Sequence, residues 1–170
     1  MGGRSGESGA QITLAMNLPI TERLLKVRRI CTALSFSVWI CGLAILILVD
    51  YEGGRPVAPV PGMVPLSLTG LAAILILLSS RVRTTVLRKA LRQNPALPID
   101  GAKVLAGYQR ATILSFAALE AAAILGLLVA LLSGKTSYGL VLCGAALLGM
   151  FSRWPREVEV DRLMRGKASP

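Results

Sequence analysis

Glu120 is the residue of this chain whose type and position most call for a chemical explanation. It stands ten residues into an apolar block, 111–132, that holds no other charge. A carboxylate in such surroundings costs at least ~2.5 kcal/mol if the block crosses a bilayer, so it normally has a task or a partner. No other apolar block offers a Lys, Arg or His to neutralise it. The expectation is a hydrogen bond to a hydroxyl or carbonyl on a neighbouring helix, with Ser35, Ser37, Ser67 and Thr69 as candidate partners. Its neighbours Ala117, Ala118, Ala121, Ala122, Ala123 and Gly126 are small, which lets another helix approach closely and places this face inside a bundle.

The other reactive side chains offer less. The chain has no histidine, which removes imidazole bases, His-containing metal sites and Ser-His-Asp triads. Its three cysteines, Cys31, Cys41 and Cys143, form no Cys-x-x-Cys. Cys41 and Cys143 read as small apolar packing residues. No phosphate-binding glycine loop occurs. No enzyme activity, no cofactor and no metal is expected.

The elements that would position Glu120 follow from composition. With 54% hydrophobic and 16% charged residues and a mean hydropathy of +0.63, the chain is too apolar for a water-soluble domain of 170 residues. A span needs about 20 apolar residues, because a helix rises ~1.5 Å per residue through ~30 Å of hydrocarbon. Four segments meet or approach this: 30–49, 61–80, 111–132 and 136–152. Pro61 and Pro65 suit the first turn of the second, where a missing N–H costs little. The fourth is short and has Trp154 as an interfacial anchor. The fold expected is all-α, an integral four-helix membrane bundle occupying residues 30–156.

The first block is too long, and starts too late, for a cleaved signal, and Gly6 departs from a myristoylation signal. Residues 1–16, rich in Gly and Ser, read as disordered. Residues 17–29 read as an amphipathic lead whose helix starts at a Thr21 cap. The second helix is expected to continue through Arg92, break at Asn94, Pro95 and Pro98, and restart at a cap on Asp100. The third would then project about 15 Å beyond the bilayer before entering it. The tail, 157–170, contains an amphipathic stretch fit for a short surface helix.

Basic residues set the orientation, because Lys and Arg in short loops stay on the cytoplasmic side. Residues 1–29, the loop between the second and third spans and residues 153–170 together hold 17 of them. The other two loops hold Arg55 and Lys135. Both termini are therefore expected in the cytoplasm. The net charge of +10 serves this sorting and attracts anionic lipid heads, the contacts being Arg81, Arg83, Arg88, Lys89, Arg92, Lys103 and Arg110. Nucleic acid is not an expected partner, since no aromatic residues interleave the basic ones. The partners expected are the lipid bilayer and a membrane protein or a second copy of the chain.

Two resemblances add to this. Phe116-Ala-Ala-Leu-Glu-Ala-Ala-Ala-Ile-Leu-Gly-Leu-Leu-Val-Ala-Leu-Leu resembles the ion-binding helix of the ATP synthase proteolipid, or c, subunit. That resemblance implies Glu120 as a carrier of a proton or cation, although the second span lacks that family's repeated Gly-x-Gly helix. The longer series from Tyr108 to Arg156, including Ala118-Leu119-Glu120, Leu132-Ser133-Gly134 and Trp154-Pro155-Arg156, is similar to a group of small bacterial four-helix membrane proteins. It implies the fold and a place in the bacterial inner membrane, and it brings no activity. Two functions are thus expected to compete: a non-enzymatic accessory or assembly component, and a proton- or cation-coupled small transporter or channel in which Glu120 titrates.

Overall fold

The computed structural model describes residues 5–51, 53, 56, 61–92 and 101–164. They form five helices: α1 Ser5–Tyr51, α2 Met63–Arg92, α3 Gly101–Ser133, α4 Thr136–Ser152 and α5 Glu157–Met164. Among the described residues there is no strand. Three segments are long and apolar enough to cross a membrane, Leu24–Val49, Met63–Arg88 and Val104–Ser133; α4 has the same character but only 17 residues.

Helix boundaries follow local chemistry. Pro65 sits in the first turn of α2, and the Val64 N–H closes that turn on the Pro61 carbonyl at 2.9 Å. Gly134 follows α3 at φ +64°, the left-handed position that ends helices and that glycine adopts without steric cost. Pro155 ends the turn after α4, where a continuing helix would lack an N–H.

α1 departs from the expected divisions. Residues 5–16, expected without structure, and the lead expected to start at Thr21 form one uninterrupted helix with the first apolar segment. Between Pro19 and Gly42 the sequence has neither proline nor glycine, so nothing separates lead from span. The expected cap Asp100 and the breaks at Asn94, Pro95 and Pro98 lie outside the described residues.

α3 is the central helix. It packs on α1, α2, α4 and α5, whereas α1 and α2 hardly meet. Val27, Cys31, Val38, Ile45 and Val49 form a stripe along α1 at spacings of four and seven, the period that keeps one face turned to a neighbour. That stripe meets Phe116, Leu119, Ala123 and Ala130 of α3 and Cys143, Ala146 and Met150 of α4. A second face of α3 carries Ala122 against Ala72 of α2 and Leu142 of α4. Two buried faces explain why α3 is apolar around most of its circumference.

α3 and α4 approach closely where Gly126 faces Gly139. A Cβ on Gly139 would stand 2.8 Å from Ala130 Cβ, from the Gly126 carbonyl oxygen and from Ile45 Cδ1. Outside this core the surface is a belt of large apolar side chains: Phe36, Trp39, Leu43 and Ile47 on α1, Leu66, Ile74 and Leu77 on α2, Val141, Leu148 and Phe151 on α4. Leu77 is 70% exposed and Leu148 73%, an arrangement that calls for lipid rather than water.

The beginning of α3 does not project freely. Val104, Leu105 and Tyr108 are buried against Leu24 of α1 and Val160 of α5, with Leu87 of α2 beside them. The expected helical extension ahead of the third apolar segment is present, and it is packed on its neighbours. Its apolar residues form a stripe that must be covered, and α1, α2 and α5 cover it.

Candidate functional site

Polar side chains converge at the end of the bundle where α2 finishes, α3 begins and α4 gives way to α5. α5 starts with Glu157 and Glu159 in its first turn, where the unsatisfied N–H groups of a helix favour negative charge. Its Val160 anchors it among Leu24, Val104, Leu105 and Tyr108, and both carboxylates then meet arginines from other helices. Arg83 of α2 donates through Nη2 to both Glu159 oxygens, at 2.7 and 2.8 Å, and its guanidinium lies 5.8 Å from the centroid of the Tyr108 ring. The Tyr108 hydroxyl donates to Glu159 Oε2 at 3.0 Å. Arg28 of α1 pairs with Glu157 at 3.3 Å and donates from Nε to the Pro155 carbonyl at 3.4 Å.

Deeper lies Arg153, the first residue after α4. Its Nη1 donates to Ser79 Oγ of α2 and, at 3.2 Å, to Ser115 Oγ of α3, both residues without exposed surface. Ser79 can accept because its own proton goes to the Ile76 carbonyl. Among the described residues no carboxylate pairs with Arg153. Burial, then repulsion from Arg83, hold its guanidinium below the usual arginine range. Trp154 packs beside it, edge-on to Phe116 and stacked on Phe151. A cleft of about 420 Å³ opens here between Arg83, Ser152, Trp154, Arg156, Val158 and Glu159.

Of the seven basic residues expected to meet lipid heads, Arg83 is committed to Glu159, while Arg81, Arg88 and Arg110 are exposed. The side chains of Lys89, Arg92 and Lys103 lie outside the described residues. Sequence reasoning missed Arg28, Arg153, Glu157 and Glu159 as members of one cluster. The signal was available in part: two acids open a short helix that follows a strongly basic chain.

Glu120 sits elsewhere, midway along α3 and half-buried, with Leu119, Ala122 and Ala123 fully buried beside it. It lies within electrostatic reach of Cys41 on α1. Among the described residues no hydrogen bond or ion pair reaches it. Three of the expected hydroxyl partners give their protons within their own helices: Ser35 to the Cys31 carbonyl, Ser67 to Val64 and Thr69 to Pro65. Ser37 is half-buried on α1.

No family model, no curated protein and no solved structure matches this chain.

Proposed function

We propose that this chain is a four-span membrane protein with both ends in the cytoplasm, working without catalysis as an accessory or assembly component. The observation that carries the assembly role is Glu120: a half-buried carboxyl inside an apolar helix with no hydrogen bond among the described residues. Such a group is costly in lipid until a donor reaches it, and a neighbouring helix of a second protein or a second copy supplies one. Arg28 and Arg83 do not compete for this role, because Glu157 and Glu159 hold them, and Arg153 is directed to the hydroxyls of Ser79 and Ser115.

Four spans are favoured by the position of α5. It packs on the beginning of α3, so α4 carries the chain back along the length of α3. At ~1.5 Å per residue its 17 residues cover about 25 Å, near the hydrocarbon thickness, and its outward residues are apolar. The basic end is the one that positive residues keep in the cytoplasm.

The second reading, a proton- or cation-coupled transporter or channel, rests on the same carboxyl as a titrating group. Glu120→Gln and Glu120→Ala, expressed in cells and purified gently, separate the two. An assembly role predicts that Gln, which still accepts and donates hydrogen bonds, keeps the co-purifying partner or oligomer, and that Ala loses it. Proton flux in proteoliposomes that is present in the natural chain and abolished by Gln would establish the transport reading instead.

A further inference from the structure

The end of the bundle beside α5 carries more positive charge than the carboxylates among the described residues balance. Four guanidiniums, of Arg28, Arg83, Arg153 and Arg156, gather at this end with two carboxylates, Glu157 and Glu159. Each carboxylate is already paired. Arg153 reaches only serine hydroxyls, and Arg156 makes no ion pair among the described residues. A half-buried guanidinium without a counter-charge is unfavourable, and a second one nearby makes it more so. A phosphate group answers this need, since its oxygens match the planar fork of arginine and carry the missing charge.

The position of the cleft identifies where that phosphate comes from. It opens where α4 ends, beside the indole of Trp154 and the hydroxyl of Ser152, at the level where apolar belt gives way to charged side chains. Phe151, 57% exposed, and Val158, 60% exposed, turn large apolar surfaces outward next to the charged wall. Charge within and apolar surface at the rim suit a molecule with an anionic head and a hydrocarbon body. Glu159 lines the same cleft, but Arg83 and the Tyr108 hydroxyl already occupy its oxygens.

We propose that this cleft seats the phosphate of an anionic phospholipid, held by Arg156, with the charge of Arg153 behind it and the Glu159-paired Arg83 forming part of the wall. The site needs only that the chain lies in a bilayer, so it stands or falls separately from the partner assigned to Glu120. It also differs from diffuse attraction of lipid to the exposed Arg81, Arg88 and Arg110, because it is a single place with a definite shape.

Native mass spectrometry of the full chain in neutral detergent, titrated with phosphatidylglycerol or phosphatidylcholine, tests the proposal. Arg156 is exposed and makes no ion pair among the described residues, so Arg156→Ala is expected to fold; Arg29→Ala removes an exposed charge from α1 at the same end of the bundle. The natural chain is expected to retain one phosphatidylglycerol in preference to phosphatidylcholine. Arg156→Ala should weaken that binding by about fivefold, the effect of about 1 kcal/mol per interfacial arginine, and Arg29→Ala should leave it unchanged. Equal loss in both variants, no loss in Arg156→Ala, or equal retention of the two lipids overturns the proposal. Displacement of phosphatidylglycerol by millimolar inorganic phosphate, with phosphate alone raising the thermal midpoint as much as the lipid does, overturns the lipid as its source.

Discussion

Thr112 has no exposed surface, and its hydroxyl finds no hydrogen-bond partner among the described residues. It stands one turn before Ser115, whose hydroxyl accepts from Arg153, so two similar side chains on one helix carry opposite consequences. An unpaired buried hydroxyl is a net cost, whereas one that accepts from a guanidinium supports a charge. Thr112→Val, which keeps the shape and removes the hydroxyl, is expected to raise stability by about 1 kcal/mol. Ser115→Ala is expected to lower it, because Arg153 would lose one of its two acceptors. Thermal unfolding in a single detergent compares the two, and a loss in Thr112→Val would mean that its hydroxyl has a partner in the folded protein. Glu120 belongs to the same scale. Its singularity was legible from one charge in a 22-residue apolar block, but its surroundings were not, because hydroxyls on neighbouring helices find acceptors one turn back in their own helices.

Helix against helix, α3 and α4 come close at Gly126 and Gly139. Gly139→Ala would place a methyl group 2.8 Å from a backbone oxygen and two apolar carbons, of which the backbone oxygen cannot move aside cheaply. The expected loss is about 1–3 kcal/mol, the usual cost of overpacking. Gly144→Ala, on the same helix with nothing within 4 Å of the added carbon, is expected to be neutral or mildly stabilising. Equal thermal midpoints for the two variants would show that α4 shifts freely. At this scale much was readable, since α4 spans the 136–152 marked by its apolar run and α2 continues through Arg92 as its lack of breakers implied. The beginning of α3 was misjudged for a physical reason. Charge there drew attention to solvent, while Val104, Leu105 and Tyr108 formed a stripe whose covering residues, Leu24, Leu87 and Val160, come from distant parts of the chain.

For the molecule as a whole, the apolar belt and the arginine-rich end together define a direction across the bilayer. Arg88 lies exposed near the end of α2, Pro56 is exposed between α1 and α2, and Val158 is exposed on α5. If α4 crosses, Arg88 and Val158 share one side and Pro56 lies on the other; if α4 merely lies at the surface, Val158 joins Pro56. The packing of α5 against Leu24 and Tyr108 favours the first arrangement, because separating them would expose Val160 and break the Arg83–Glu159 and Arg28–Glu157 pairs together. Single cysteines at these three positions, treated with a membrane-impermeant maleimide on intact cells, distinguish the cases. Cys31 and Cys143 are buried and Cys41 is half-buried within the apolar segment, so the natural thiols contribute little background. Pro56→Cys is expected to label from outside, and Arg88→Cys and Val158→Cys only after the cells are opened. Outside labelling of Arg88→Cys would reverse the orientation. Outside labelling of Val158→Cys alone would reduce the spans to three and detach α5 from the beginning of α3.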